Sequence, residues 1–69
     1  MDFVKKYVRT ATRAQLIVKR DELQEALRDG LISEPDVVRQ ARAAIREIER
    51  ELVARWEVAV LARRRMAKS

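Results

Sequence analysis

One glycine, Gly30, and one proline, Pro35, are the only residues that punctuate 69 residues otherwise suited to helix. Glycine tolerates the left-handed backbone that ends a helix. Proline is accepted in a first turn, where its missing N–H has no partner to lose. Leu27-Arg28-Asp29-Gly30 therefore reads as a helix end, with Leu31 placed for the apolar contact that follows such a cap. Ser33-Glu34-Pro35-Asp36 reads as a helix start, with Ser33 as N-cap and Asp36 at the capping-box position. The expected fold is all-α: a helix over 2–29, a turn at 30–33 and a helix over 34–67, in one domain spanning 1–69. A connection this short makes the two helices an antiparallel hairpin.

The second helix carries a seam. Val38, Ile45, Leu52, Ala59 and Met66 recur every seven residues, and Ala41, Ile48 and Ala62 fill the alternate positions. This is a coiled-coil heptad pattern with Arg55 as its one break. The first helix is less regular. Leu16, Leu23 and Leu27 share one face, whereas Phe3, Val4, Tyr7, Val8, Ala11, Ala14 and Val18 share nearly the opposite face. Two causes are open. Thr12 and Gln15 have the spacing of a capping box and would mark a break, or one continuous helix serves two interfaces.

A chain of 69 residues is marginal for a self-sufficient core. With no Cys and no His, it has neither a disulfide nor a thiolate or imidazole metal site to reinforce it. Association is the remaining means, and the expected assembly is a homodimer forming a four-helix bundle. Its core is expected from Val38, Ala41, Ile45, Ile48, Leu52, Ala59 and Met66, with Leu16, Leu23 and Leu27 facing them. Trp56, Val58, Val60 and Leu61 project beyond the seam. In a closed hairpin these would meet the apolar N-terminal stripe at the open end, and a helix apolar on several sides needs several covers. The residues assigned to partner contact are Phe3, Val4, Tyr7, Arg55, Trp56, Val60 and Leu61. Trp56 fits a core or interface anchor, or an exposed hot spot. Arg55 has three readings: it snorkels, pairs with Glu51 or reaches an acidic partner.

Charge is also laid out in blocks. Lys5, Lys6, Arg9, Arg13, Lys19 and Arg20 stand against Asp2 alone in the first twenty residues. Asp21, Glu22, Glu25, Asp29, Glu34 and Asp36 stand against Arg28 in the next sixteen. Arg63, Arg64, Arg65 and Lys68 then close the chain, where cations complement a helix C-terminus. A hairpin would have an acidic loop end and a basic open end. The second functional reading is thus RNA or DNA binding through Lys5, Lys6, Arg9, Arg13, Arg63, Arg64 and Arg65. An antiparallel hairpin dimer with basic faces is similar in plan to the Rop-type four-helix bundle, which binds RNA, although no residue motif is shared. Against this reading, the only aromatics are Phe3, Tyr7 and Trp56, with no basic–aromatic stacking pattern.

Other classes have less support. Residues 2–18 resemble an interfacial membrane helix, but packing on the second helix explains the same stripe. No apolar run reaches the ~18 residues of a membrane span, and no secretory leader is legible, so a cytoplasmic protein is the expectation. The Arg and Ala bias suits a bacterial or phage genome. The carboxylates of the tip lack calcium-loop spacing, and Leu31 and Ile32 read as a plug for the hairpin end. Without His, Cys or a glycine-rich loop, and with Thr10, Thr12, Ser33, Ser69 and Tyr7 as the only hydroxyls, catalysis has no recognisable machinery and no cofactor is expected. The chain reads as a non-enzymatic module that binds a larger protein.

Overall fold

The computed structural model describes residues 2–68, with side chains described from Phe3 to Met66. The terminal residues of the expected unit 1–69, and the side chain of Lys68 at the basic end, lie outside the described residues. The described chain is all-helical. Helix α1 spans Asp2–Thr10, α2 spans Arg13–Arg28 and α3 spans Pro35–Lys68. The helix expected over 2–29 is therefore two helices, and the two-helix hairpin gives way to three.

The break follows from the apolar pattern. Leu16 is fully buried. Were the α2 helix to continue backwards, the positions 4, 7 and 11 residues earlier would share its inward face, at about 100° per residue. Those positions hold Thr12, Arg9 and Lys5, whereas Tyr7 would point directly away. Ending the helix lets the stripe turn inward instead: Val8 and Ala11 are buried, and Val4 and Tyr7 are half-buried. Ala14 and Val18, on the α2 side of the break, remain outside. Thr12 sets the corner in extended backbone, φ −72° and ψ 163°. The Gln15 N–H donates to Thr12 Oγ1 at 3.1 Å, and the Thr12 N–H donates to Gln15 Oε1 at 2.8 Å. This reciprocal box satisfies two N–H groups that a helix start otherwise leaves without partners.

The other side of the corner leaves carbonyls instead. Thr10 Oγ1 donates to the Lys6 carbonyl at 2.9 Å, and the Ala11 N–H donates to the Tyr7 carbonyl at 2.9 Å. The carbonyls beyond these are met from α3. Arg55 Nη2 donates to Val8 O at 3.1 Å and to Ala11 O at 2.8 Å, with a longer approach to Arg9 O at 3.5 Å. Its Nε donates to Glu51 Oε2 at 2.9 Å. The seam break is thus a cap: a guanidinium placed where the α1 C-terminus concentrates negative partial charge. The anticipated pairing with Glu51 is present, and the carbonyl contacts add a function for Arg55 inside the chain.

Helix α1 lies back along the body. Phe3 and Val4 share a groove with Lys19, Leu23 and Ala44, while Lys5 and Arg9 border Glu47, Arg50 and Ala54. It therefore runs alongside α3 in the same sense and opposite to α2. The α2–α3 pair is the antiparallel part, and a Schellman turn closes it. Gly30 adopts φ 75°, the Leu31 N–H donates to Ala26 O at 2.9 Å, and the Gly30 N–H donates to Leu27 O at 3.4 Å. Two details of this turn differ from expectation. Leu31 is 79% exposed and makes no plug, whereas Ile32 is half-buried. Helix α3 begins at Pro35, and the Val38 N–H donates to Glu34 O at 2.9 Å, so Glu34 rather than Ser33 occupies the cap position.

The core joins all three helices: Val8, Ala11, Leu16, Ala41, Ile45 and Ile48 are buried, with Val4, Tyr7, Leu23 and Leu52 packed around them. Each fully buried Leu or Ile contributes roughly 1.5–3 kcal/mol, so turning Val8 inward is worth more than one surface ion pair. The expected core is correct from Ala41 to Leu52 and fails beyond it. Ala59 is exposed and Met66 is 78% exposed, because α1 and α2 end beside Arg55 while α3 continues. The molecule measures 53 × 24 × 15 Å, its length set by α3. Residues 56–66 form an arm that α1 does not cover and that α2 borders only at Trp56 and Ala59.

This packing predicts the cost of losing the corner. Arg55→Met keeps the aliphatic stem but removes the donors, and should destabilise the chain by about 2 kcal/mol. Thr12→Ala should cost about 1 kcal/mol. Urea unfolding of each variant, with Arg42→Met as an exposed control, measures both. An Arg55→Met change no larger than the control would contradict the capping assignment.

Candidate interaction surface

The expected contact residues divide into two places. Phe3, Val4 and Tyr7 line a groove with Val8, Lys19, Leu23, Ala44 and Ile48, in the middle of the body. Only Phe3 stands clear of it, at 84% exposure. Trp56 lies in a different groove, between α2 and the start of the arm, lined by Arg13, Ile17, Arg20, Leu52, Arg55 and Ala59. Ala44 and Leu61 are 17 positions apart on one helix, a separation of about 25 Å. The structure therefore does not bring Phe3, Val4 and Tyr7 against Val60 and Leu61. The open end at which the two stripes would have met does not form, because α1 has turned back from it.

The arm presents apolar side chains on more than one side. Trp56 is 67% exposed, Val58 66% and Leu61 57%, and Val60 is half-buried. Ala59 and Ala62 continue the face that Ile45, Ile48 and Leu52 form in the body, Trp56 and Val58 flank it on either side, and Leu61 looks away from it. Single exposed apolar residues are ordinary on a protein surface, but a contiguous set is not. Helical order in the arm comes from the body that nucleates it, since isolated helices shorter than about 12–15 residues are marginal in water.

The basic residues divide in the same way. Lys5, Lys6, Arg9 and Thr10 border one shallow surface of α1. Arg63, Arg64 and Arg65 lie on the arm, all exposed. Arg13 stands between the groups, at the edge of the Trp56 groove. Within the body, some cations are matched: Lys19 pairs with Glu22 at 3.1 Å, Arg50 with Glu47 at 3.3 Å, and Arg39 with Asp36, whereas Lys5, Lys6, Arg9, Arg42 and Arg46 pair with no described residue. Such exposed pairs are worth little singly. Arg13, Arg63, Arg64 and Arg65 make no ion pair with any described residue.

Ile17, Arg20 and Leu52 belong to the Trp56 groove although they were not singled out as contact residues. Leu52 belongs to the seam legible in the sequence, and Ile17 and Arg20 line it from α2, which begins after Thr12. Arg55, expected among the partner contacts, is engaged within the chain. Among the described residues no three Asp or Glu side chains gather as a metal site, and no helix is long and apolar enough to cross a membrane.

Trp56 is the single tryptophan, so its fluorescence reports this surface alone. The free protein is expected to emit at the red, water-exposed end of the tryptophan range and to be quenched freely by acrylamide. A blue, quench-resistant emission from the monomer would mean that the arm is covered. Comparison with family models, with curated proteins and with solved structures finds no match to this chain.

Proposed function

We propose that this chain is a small, non-enzymatic protein-binding module, an adaptor, assembly component or inhibitor that docks on a larger protein through the α3 arm. The observation that carries this reading is the uncovered seam. A coiled-coil pattern runs the length of α3, yet its own chain covers it only up to Arg55, leaving the seam residues Ala59, Ala62 and Met66 and the flanking Trp56 and Val58 exposed. Tryptophan and arginine are the residues enriched at interface hot spots, and the arm carries both. Phe3, at the mouth of the α1 groove, is a second and separate contact.

A second copy of the chain is the competing occupant, and pairing of two seams would give the dimeric four-helix bundle expected from the sequence. Its support is weaker. Arms paired in parallel would set Arg63, Arg64 and Arg65 of one copy against those of the other, and like charges across an interface oppose association. Electrostatic RNA or DNA binding also has less support than the sequence offered. Its residues form two groups, one on α1 and one on the arm, separated by roughly 15–20 Å along α3.

The test is a pull-down from cell lysate with the tagged protein, compared with the double variant Trp56→Ala/Leu61→Ala. Both side chains are exposed, so folding should be retained, which circular dichroism checks. A discrete protein that survives a high-salt wash on the wild type and is lost by at least about tenfold on the variant is expected, as for a hot-spot pair. Retention unchanged by the double substitution would rule out the arm. Nucleic acid that leaves with salt, with no protein retained, would establish the electrostatic alternative.

A further inference from the structure

We infer that the partner of the arm is an acidic amphipathic helix, apolar along one stripe and carrying Glu or Asp on both flanks of it. The inference rests on the protein-binding reading and adds the chemistry of the partner. In the heptad frame set by Ile45, Leu52 and Ala59, the arm presents Ala59, Ala62 and Met66 at its seam positions, the first two of them small. Small residues there allow a second helix to approach closely. Trp56 and Arg63 occupy the flanking position after the seam, and Val58 and Arg65 the flanking position before it. In paired helices these flanks choose the partner by charge.

Each flank of the distal arm therefore offers an arginine, and the nearby groove adds Arg13. None of the three is paired with a described residue. The one carboxylate of the arm, Glu57, lies off both flanks, on the outer side of the helix. A partner with carboxylates on its flanks would meet these cations from both sides, while its apolar stripe covers Trp56, Ala59 and the Ile17–Leu52 groove. A second copy aligned in parallel brings Arg63 and Arg65 to the same flanks, with Trp56 and Val58, and no carboxylate. Nucleic acid would answer the charge but leave the aliphatic floor unmatched, with Trp56 the only stacking surface on the arm.

The experiment uses the full chain and two synthetic four-heptad peptides. Both carry Leu at the seam positions; one has Glu on the flanks and its twin has Lys. Emission of Trp56 reads binding directly. The acidic peptide should shift it to the blue and bind at least about tenfold more tightly than the basic twin. Arg63→Glu/Arg65→Glu, in which Trp56 is untouched, should reverse that preference. Equal binding of the two peptides would overturn the acidic partner while leaving the arm a docking surface. Binding of neither, with Trp56 still water-exposed, would overturn both readings. A blue shift that grows with protein concentration alone would assign the surface to a second copy. Displacement of the acidic peptide by a single-stranded oligonucleotide would assign it to nucleic acid. Either of these outcomes also overturns the inference.

Discussion

The guanidinium of Arg55 holds the rest of the arrangement in place. A helix that stops after nine residues leaves its last carbonyls without partners, and α1 stops at the edge of the core, where water reaches them incompletely. One arginine on α3 donates to Val8 O and Ala11 O and is itself steadied by Glu51. Hydrogen bonds from a charged donor are roughly twice as strong as neutral ones. The contact spans 44 to 47 residues of chain, so it fixes a tertiary position rather than a local turn. With the Thr12–Gln15 box on the other side of the corner, it makes a broken helix satisfied at both of its new ends.

The turned-back α1 has two consequences. It completes a core that two helices alone would leave thin, placing Val8 and Ala11 on Leu16 and Ile48. It also removes from the arm the cover that a longer first helix would have supplied. The same corner that adds Val8 and Ala11 to the core leaves Trp56, Val58 and Leu61 exposed. Exposed apolar surface of this kind carries a cost in solubility, and docking on another protein is the use proposed for it.

Much of this was legible in the residues. Gly30 and Pro35 mark the turn between α2 and α3, and the heptad of α3 identifies Ala41, Ile45 and Ile48 as core because a seven-residue repeat specifies a face directly. The change of apolar side near Ala14, with Thr12 and Gln15 beside it, held both causes open, and burial of Val8 and Ala11 decides for the break. What periodicity could not give is the direction of the chain after that corner. A capping box states where a helix starts but not where the preceding one goes, and that choice depends on Arg55, more than forty residues away. For the same reason Ala59 and Met66 read as core: a seam shows which face seeks cover and not how far the cover extends. Ser33 missed the cap position by one residue, because Pro35 takes the first helical place with Glu34 before it.

The fold-back of α1 is tested most directly by a distance. With no native cysteine, nitroxide labels attach cleanly to Lys5→Cys/Arg50→Cys and to Lys5→Cys/Arg64→Cys, all at exposed positions. Positions 50 and 64 lie about 21 Å apart along α3. Lys5 shares a groove with Arg50, so pulsed dipolar spectroscopy should find the 5–50 pair close and the 5–64 pair farther by most of that length. A short 5–64 distance with a long 5–50 distance would mean that the first helix runs straight on over the arm, and the account of the corner, the core and the exposed surface would fall with it.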